Sequence, residues 1–338
     1  MSLVPEITRL RAGESLTSAE TQDIFDQIFS GGIPEAEISA FLLALRGKGE
    51  TTDEILGAVK SMRSKAVTIP SPPGVIDIVG TGGDAKGTLN ISTAAALVVA
   101  GCGVTVAKHG NRGASSQSGS SDVLAALGIN LDASFDILEK CLAEANLCFL
   151  FAPRHHPAMR YVADVRKKLG VRTIFNLLGP LTNPANVKRH LIGVYSADWL
   201  MPMAEVLQEL DSDAAWITHG QDGMDELTVT SSNDVMTLHG DEMSQFILSP
   251  EDADLNRALP EQLQGGDAQV NAKAIIKLLA GEKNAYRDIV ALNAAAALIV
   301  AGKVSDIRQG VVMACEAIDK GAAQSGLHRL IDLTNEEN

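Results

Sequence analysis

The sequence has few of the features that mark secreted or membrane proteins. Its four cysteines, Cys102, Cys141, Cys148 and Cys315, lie in apolar contexts without a Cys-x-x-Cys pair, which predicts buried thiols. No run approaches about eighteen apolar residues, and no N-terminal segment has the charged start, apolar run and cleavage site of a signal peptide. We therefore expect a protein without membrane association, located in the cytoplasm.

Basic residues and aromatic residues are also scarce. There are 28 Lys and Arg residues against 42 Asp and Glu residues, which gives a formal net charge of −14. This charge repels polyanions, so it disfavours nucleic-acid binding and requires any phosphate site to be a local basic pocket. Aromatic residues make up 4% and hydrophobic residues 46% of the 338 positions, which suits an aliphatic core in a chain long enough for two domains.

Glycine is abundant where a predicted strand ends. Residues 75–79 form an apolar run that leads directly into Gly80-Thr81-Gly82-Gly83-Asp84. Because glycine has no Cβ, these glycines can take positive φ and direct consecutive N–H groups at an anion. Asn90-Ile91-Ser92-Thr93 then begins an alanine-rich helix, whose N-terminus also favours an anion.

Two common phosphate motifs do not fit this loop. In a Walker A motif the lysine follows the second glycine, whereas Lys86 precedes Gly87 here. A dinucleotide fingerprint is matched only weakly by Gly80, Gly82 and Ala85. The loop therefore predicts an anion site without naming the anion.

A second strand and loop of similar chemistry follow. Residues 104–107 predict a strand, and residues 108–122 contain three glycines, five serines, Lys108 and Arg112. The two cations would neutralise phosphate charge, and the hydroxyls and amides would supply directional donors. Asp122 or Ser121 is placed to cap a helix that begins at Val123, and Gly128 is placed to end it.

Together these segments resemble one enzyme family. Gly80-Thr81-Gly82-Gly83-Asp84, Asn90-Ile91-Ser92-Thr93, Lys108-His109-Gly110-Asn111-Arg112 and Ser118-Gly119-Ser120-Ser121-Asp122 are similar to the ordered motifs of the anthranilate phosphoribosyltransferases. Residues 156–167 and 170–184 resemble the family's hinge and aromatic-acid segment, and Gly223-Met224-Asp225-Glu226 resembles its metal-binding turn. The resemblance extends over nearly the whole chain in family order.

The order of predicted elements agrees with this resemblance. Three helices without strands precede Pro70-Ser71-Pro72-Pro73-Gly74: one after the capping box Thr17-Ser18-Ala19-Glu20, one from Pro34 and one after Thr51. Strands are then predicted at 75–79, 104–107, 148–151, 191–194, 214–218 and 227–230, alternating with helices. Such alternation predicts a mainly parallel sheet with ligands at the carboxyl ends of its strands.

The resemblance implies the nucleoside-phosphorylase class II architecture, an α/β fold with a small N-terminal helical domain and a larger α/β domain. The helical domain would comprise residues 1–70, joined by about 166–182, and the α/β domain residues 74–165 and 183–338. The resemblance also implies a homodimer formed through the helical domain. The implied reaction transfers the 5-phosphoribosyl group of phosphoribosyl pyrophosphate to the amine of anthranilate, in tryptophan biosynthesis.

The resemblance also implies the ligands of individual residues. Phosphoribosyl pyrophosphate would bind Gly80, Gly83, Asp84, Thr88, Asn90, Ile91, Ser92, Thr93, Lys108, His109, Gly110, Asn111, Arg112, Gly113, Ala114, Ser115, Ser116 and Ser120. Anthranilate would bind Gly80, Asn111 and Arg166, and two Mg²⁺ ions per monomer would bind Ser92, Asp225 and Glu226. No residue is assigned as nucleophile or base, because a displacement at C1 of the ribose needs positioning and charge stabilisation instead.

Simpler interpretations remain for several of these residues. Adjacent acids such as Asp225 and Glu226 are common on exposed turns, Ser92 fits a plain helix cap, and Arg166 fits a solvated basic helix face. Gln117 stands where relatives often have a lysine, and Lys86 could return a charge to the first loop. Two alternative functions also remain: a pyrimidine nucleoside phosphorylase, which would use inorganic phosphate, and a relative that binds nucleic acid through a basic surface.

Overall fold

The N-terminal part of the chain is entirely helical. The computed structural model describes residues 2–113 and 117–336. Its first four helices are α1 (Val4–Arg11), α2 (Ser18–Phe29), α3 (Glu35–Lys48) and α4 (Thr52–Ser64). The side chains of Thr17 and Thr51 cap α2 and α4 as the sequence predicts. The prediction of three helices was wrong because it omitted α1, a short helix whose only fully buried side chain is Leu10.

A seven-stranded sheet forms the centre of the larger domain. Its strands are β1 (Ile76–Gly80), β2 (Val106–Gly110), β3 (Leu147–Phe151), β4 (Arg189–Gly193), β5 (Ala214–Gly220), β6 (Asn233–His239) and β7 (Glu242–Leu248). They lie in the order β3-β2-β1-β4-β5-β6-β7, in which β1 to β5 are parallel and β6 and β7 antiparallel. The expectation of a small helical domain and an α/β domain with a mainly parallel sheet is therefore confirmed.

Two expectations about the elements around β6 and α6 were wrong. Residues 227–230 form no strand, because their backbone groups bind the side chains of Asn293 and Asn233 instead of a neighbouring strand. The antiparallel pair β6 and β7, joined at Gly240-Asp241, was not predicted. Helix α6 (Ser120–Ala126) begins three residues before Val123, since Asp122 accepts the Gly119 amide from inside the first turn.

Helices cover both faces of the sheet. The remaining helices are α5 (Ile91–Gly101), α7 (Phe135–Glu144), α8 (Ala152–His155), α9 (Ala163–Leu169), α10 (Phe175–Leu181), α11 (Leu200–Glu209), α12 (Ala268–Leu279), α13 (Ala285–Val300), α14 (Ile307–Asp319) and α15 (Ala322–Thr334). Short 3₁₀ turns occur at Pro157–Tyr161, Ala197–Trp199, Pro250–Ala253 and Pro260–Leu263. No helix in the described ranges is both long and apolar enough to cross a membrane.

The buried side chains fall into two clusters. One lies between the sheet and helices α5, α13, α14 and α15, and it is rich in alanine and leucine. The other joins α2, α3 and α4 to side chains of α9 and α10, including Val165 and Leu178, and to the face of the sheet covered by α11. Helices α9 and α10 therefore share a core with the N-terminal helices, although they follow β3 in the chain. This arrangement leaves a cleft above the carboxyl ends of the parallel strands.

Candidate active site

Four of the five parallel strands end in a glycine, and two of these glycines, Gly80 and Gly110, line the cleft. The glycines are Gly80, Gly110, Gly193 and Gly220, at the ends of β1, β2, β4 and β5. Gly80 and Gly193 are partners in the sheet. A Cβ on Gly80 would lie 2.6 Å from Oδ2 of Asp225, and a Cβ on Gly193 would lie 1.6 Å from the Asp225 carbonyl oxygen. The acidic turn thus packs directly on two strand ends that have no room for a side chain.

The first glycine loop is held by this acidic turn. Gly82 and Gly83 have φ of 70° and 80°, which is the left-handed region expected for them, whereas Gly80 is required for the close approach and not for a positive φ. The Gly82 amide donates to Oδ2 of Asp225 at 2.5 Å. The Ser92 amide, in the first turn of α5, donates to Oε1 of Glu226 at 3.2 Å. Both carboxylates therefore organise backbone donors at the strand ends.

The two carboxylates lie close together with little solvent. Burial raises the pKa of Asp225 well above its usual range, and the nearby Asp84 and Glu226 carboxylates raise it further. Burial raises the pKa of Glu226 to about 7, although the Lys108 ammonium opposes this shift. These acids are therefore crowded by negative charge, and a bound cation would relieve that repulsion.

A buried lysine lies beneath the acidic turn. The Lys108 side chain, on β2, donates from Nζ to the Ile78 carbonyl at 2.5 Å and to Oγ of Ser92 at 3.2 Å. Burial lowers its pKa, and the Asp77 and Glu226 carboxylates oppose that shift. Ser92 is thus the second residue of α5, in contact with a buried cation, and not the plain helix cap that the sequence also allowed.

An acid beneath the strand ends connects β1 to β2. Asp77 accepts the His109 amide at 3.1 Å and Nδ2 of Asn183 at 2.7 Å. Burial raises its pKa to about 6, even though Lys108 and these donors oppose the shift. Asp77 and Asn183 were not predicted as functional residues. The sequence signal for Asp77 was an acidic residue inside an apolar run predicted to be a strand.

The second glycine loop closes around Asp122. Oδ2 of Asp122 accepts the amides of Gly113 and Gly119 at 3.0 and 2.9 Å. A Cβ on Gly119 would lie 2.2 Å from the Gly113 nitrogen, so the two ends of the loop touch through their backbones. Asn90 supports the loop, because its Nδ2 donates to the Ser118 carbonyl at 3.3 Å. Nη1 of Arg112 lies 3.7 Å from Oδ1 of Asp122, and the arginine side chain remains 69% exposed, so an anion can still reach it.

The opposite wall of the cleft is formed by residues 156–180. Cζ of Arg166 lies 5.3 Å from the centre of the Phe175 ring, and burial lowers the pKa of this arginine. The rings of His109 and His156 face each other with centroids 5.1 Å apart. Burial lowers the pKa of His109 to about 3 and that of His156 to about 4, so both are neutral near pH 7.

We call the two sides of the cleft the strand-end half and the hinge half. The strand-end half comprises the loops after β1, β2 and β5, with Lys108 and the acidic turn, and the hinge half comprises residues 156–180. They enclose a cavity of about 600 Å³, which is within the range of small-molecule sites.

Most of the site residues predicted from the sequence line this cavity. They are Gly80, Gly83, Asn90, Ser92, Thr93, Lys108, His109, Gly110, Asn111, Arg112, Gly113, Ser120, Arg166, Asp225 and Glu226. Asp84, Thr88 and Ile91 are not among the described lining residues. The Ile91 side chain is buried in the core, Thr88 forms a bridge with Gln264, and Oδ1 of Asp84 accepts the Lys86 amide. Ala114, Ser115 and Ser116 lie outside the described residues.

The sequence did not identify several residues of the hinge half. Met159, Phe175, Asn176, Gly179 and Pro180 line the cavity, as does His156. They come from the 3₁₀ turn at Pro157–Tyr161, the residue before it and α10, and the sequence signal for them was their position inside the segments that resemble the family's hinge and aromatic-acid segment. Lys86 packs on the acidic turn, because its Nζ would lie 3.3 Å from a Cβ added to Gly223. It is not among the described residues that line the cavity.

The donor atoms of the site fit a hard divalent cation that also binds substrate. Two carboxylates and one hydroxyl come from Asp225, Glu226 and Ser92. In the described part of the chain, no three His, Cys, Asp or Glu side chains form a complete metal-binding group. Mg²⁺ commonly takes only one or two carboxylates from protein and fills its octahedron with water and phosphate oxygens. The residues therefore fit Mg²⁺ held jointly with a phosphorylated ligand.

Comparison with known proteins identifies relatives over the whole chain. The family described as "Glycosyl transferase family, a/b domain" matches residues 72–324, and "Glycosyl transferase family, helical bundle domain" matches residues 4–66. An anthranilate phosphoribosyltransferase of Paramagnetospirillum magneticum is 53% identical over 336 residues, which is 99% of this chain and 97% of that protein. The enzyme of the same name from Azospirillum brasilense is 54% identical over 97% of this chain and 92% of its own length.

Solved structures extend the similarity to the fold. The anthranilate phosphoribosyltransferase of Thermus thermophilus superposes with a TM-score of 0.92 at 41% identity, covering 98% of this chain and 99% of that one. The enzyme of Saccharomyces cerevisiae, solved in complex with phosphoribosyl pyrophosphate and Mg, gives 0.89 at 26% identity over 98% and 97% of the two chains. Identity of 53% to 54% with enzymes of that name, over nearly the full length, shows that the chain belongs to the anthranilate phosphoribosyltransferase family.

Proposed function

We propose that the cavity between the strand-end half and the hinge half is the active site of this chain. The reaction of its family transfers the 5-phosphoribosyl group of phosphoribosyl pyrophosphate to the amine of anthranilate, giving N-(5-phosphoribosyl)anthranilate and pyrophosphate. The observation that carries the proposal is the convergence of Asp225 and Glu226 on the first glycine loop and the start of α5, above the buried Lys108. Such a site matches a metal-bound diphosphate.

The strand-end half would bind phosphoribosyl pyrophosphate. The two glycine loops and the first turn of α5 line this surface, and Lys108 and Arg112 supply positive charge. The amides of Gly82, Ser92, Gly113 and Gly119 already donate to carboxylates of the protein, so they hold the loops in place around the site. Asn111 and Ser120 add polar groups from the second loop. This local basic and glycine-rich surface offsets the net charge of −14 on the whole chain.

The hinge half would bind anthranilate. Its carboxylate needs a cation, and Arg166 is a cavity-lining arginine held against the Phe175 ring. Neutral His109 and His156, together with Met159 and Pro180, provide a weakly polar surface for an aromatic ring. Asn111 and the backbone of Gly80 lie in the same cavity and would complete the contact. The arylamine would then face the ribose from the side opposite the leaving group.

The chemistry would depend on positioning and charge. The bond between C1 of the ribose and the pyrophosphate oxygen breaks, the nitrogen of anthranilate forms a bond to C1, and the amine loses a proton. Mg²⁺ bound at Asp225, Glu226 and Ser92 would stabilise the charge of the departing pyrophosphate. We expect two ions per monomer. The carboxylates of Asp225, Glu226 and the nearby Asp84, together with a diphosphate, carry more negative charge than a single Mg²⁺ would neutralise.

Anthranilate fluorescence tests this function directly. The wild-type protein should remove the fluorescence only when phosphoribosyl pyrophosphate and Mg²⁺ are both added, and it should release pyrophosphate in equal amount. Nucleosides with inorganic phosphate should give no reaction, which distinguishes this enzyme from a nucleoside phosphorylase. Folded protein that leaves the fluorescence unchanged would refute the assigned substrates.

We infer a homodimer formed through the helical domain. An open groove between α1 and α3 is lined by Ile7, Leu10, Ala40, Leu43 and Ala44, and the Leu43 side chain is 46% exposed. Such an apolar groove suits a second copy of the chain. Light scattering should give twice the chain mass for the wild type and the chain mass for Leu43→Glu. A monomeric wild type would exclude the dimer.

We also infer the limits of the two domains and the location of the protein in the cell, as the sequence predicts them. The helical domain would comprise residues 1–70 and about 166–182, supported by the core that Ile174 and Leu178 share with α2 to α4. The α/β domain would take residues 74–165 and 183–338. Limited proteolysis should then cut first near residues 70–74. We expect the protein in the cytoplasm, where its highly charged donor is retained, and cell fractionation tests this.

A further inference from the structure

Arg172 joins the hinge segment to the first glycine loop. It lies between α9 and α10, and its Nη2 donates to the carbonyl oxygen of Gly83. Its Nε lies 3.2 Å from the position of the Cβ that Gly83 lacks, so the guanidinium is packed closely against the loop. Gly83 lines the cavity, whereas Arg172 is not among its described lining residues. The arginine therefore holds the loop from outside the cavity.

This contact fixes the orientation of one peptide group in the loop. In a planar trans peptide, the carbonyl of one residue and the N–H of the next point in opposite directions. Holding the Gly83 carbonyl towards Arg172 therefore turns the N–H of Asp84 away from it. Gly82 and Gly83 both have positive φ, so the loop has backbone freedom that an external hydrogen bond can restrict.

A second contact places Arg172 in a closed ring of interactions. Its Cζ lies 4.2 Å from the centre of the Tyr195 ring, a stacking distance. The Tyr195 amide donates to Oγ1 of Thr81 at 3.1 Å, and the Thr81 amide donates to the Gly193 carbonyl at 2.9 Å. Arg172, Tyr195, Thr81 and Gly83 thus fix the loop from both of its sides.

The position of Arg172 in the chain gives this ring a consequence for the site. Arg166, the proposed partner of the anthranilate carboxylate, lies in α9 six residues before Arg172. Phe175 lies three residues after Arg172, and Arg166 stacks on its ring. The same short segment therefore contacts both the proposed anthranilate wall and the loop proposed to bind the diphosphate.

We propose that Arg172 is a positioning residue that holds the first glycine loop against the hinge segment, so that the two substrate sites keep a fixed separation. The proposal rests on the proposed function, because it assigns the loop to the diphosphate. Arg172 itself is exposed, so its removal is not expected to disturb the core. A planar guanidinium donates to Gly83 and stacks on Tyr195 at once, which a lysine ammonium does not do.

Steady-state kinetics of Arg172→Met tests the proposal. We expect the KM for phosphoribosyl pyrophosphate to rise roughly tenfold, an effect equivalent to about 1.4 kcal/mol, while the KM for anthranilate changes less than about twofold. Arg172→Lys should recover part of the loss, since it keeps a donor. Tyr195→Phe should match the wild type and Tyr195→Leu should not. Lys167→Met, which removes an exposed charge from the same segment, is the matched control.

Hydrogen exchange gives a readout that does not depend on activity. In Arg172→Met without substrates, the amides of residues 82–84 should exchange faster, while those of β1 should be unchanged. Unchanged exchange, or an unchanged KM for phosphoribosyl pyrophosphate in an active protein, would overturn the positioning role alone. A wild type without any transferase activity would instead refute the proposed function. An equal rise in both KM values with a lower thermal midpoint would show a merely structural role and would also overturn the proposal.

Discussion

The two halves of the cleft are built in different ways. The strand-end half uses backbone amides, glycines without room for a Cβ, and a buried lysine beneath two carboxylates. The hinge half uses side chains from three elements, with Arg166 on an aromatic ring and the neutral His156, which packs against His109 of β2. The first half is suited to a highly charged diphosphate, and the second to a flat ring with a single carboxylate.

The difference also predicts how each half responds to substitution. Substitutions that add atoms at the strand ends meet backbone, which the packed sheet ends cannot accommodate. Changes in the hinge half alter side chains that face the cavity, so they should affect recognition of one substrate more than the stability of the fold. Substitutions on the two sides therefore test whether the halves are as separate as their construction indicates.

The largest effect is expected for the carboxylates of the acidic turn. The double variant Asp225→Asn/Glu226→Gln keeps the size of both side chains and one acceptor oxygen on each, which is enough for the bonds from the Gly82 and Ser92 amides, but removes their charge. We expect kcat/KM to fall by about three orders of magnitude or more, because charge stabilisation of the leaving pyrophosphate is lost. The measurement is the rate of anthranilate consumption over a range of Mg²⁺ concentrations.

Stability serves as the control for this variant. Burial and mutual repulsion raise the pKa of both acids, so their ionisation opposes folding at pH 7. The free energy of unfolding of the variant should therefore equal or exceed that of the wild type. An active variant with an unchanged Mg²⁺ response would remove the metal role of both residues.

The next effect is expected at the end of β4. In Gly193→Ala the new methyl group would overlap the Asp225 carbonyl oxygen, and the acidic turn would have to move. We expect an activity loss of about a hundredfold and a stability loss of about 1–3 kcal/mol, measured by kinetics and urea unfolding. Gly326→Ala is the matched control, since its added Cβ would meet nothing within 4 Å beyond its chain neighbours and the backbone of its own helix. Full activity in Gly193→Ala would contradict the close packing of turn and strand.

A smaller and more selective effect is expected in the hinge half. Arg166→Ala removes the cation proposed for the anthranilate carboxylate, so the KM for anthranilate should rise roughly 10- to 100-fold, as expected for charged hydrogen bonds. The KM for phosphoribosyl pyrophosphate should stay within about twofold. Lys167→Ala, on the same helix, should leave both values unchanged. An unchanged KM for anthranilate in Arg166→Ala would exclude the assigned role.

The same contrast explains what the sequence could predict. The strand-end half is encoded in short continuous motifs, because a glycine loop between a strand and a helix needs particular residues at fixed spacing. Gly82, Gly83 and Ser92 were therefore recognisable together. Gly193 was not, since the need for a glycine there arises from a turn that lies more than thirty residues later.

The hinge half was only partly predictable. Arg166 was identified through the resemblance, but Phe175 and His156 face the cavity because α9 and α10 return to the helical domain. Such a return depends on tertiary packing and leaves no local pattern. The hairpin of β6 and β7 was missed for a related reason, since four consecutive residues of β7 are exposed and give no alternation.

An effect confined to acidic pH is expected from the histidines where the two halves meet. His109 belongs to β2 and His156 to the hinge half, and burial lowers the pKa of both below the usual value near 6.5. On acidification the unfolded chain therefore binds protons at these sites before the folded chain does. The stability contributed by the neutral rings is complete above pH 6.5 and declines as the pH falls from 6.5 towards the folded values of about 3 and about 4.

His156→Gln should reduce this acid sensitivity. Between pH 7.5 and 5, each such histidine should cost the wild type about 2 kcal/mol of unfolding free energy, which the glutamine variant avoids. Urea unfolding at the two pH values measures the difference, and His239→Gln, an exposed position at the end of β6, is the control. An equal loss in His156→Gln and the wild type would place the acid sensitivity elsewhere. A reduced loss would show that the folded protein requires an uncharged ring at His156, where the two halves meet.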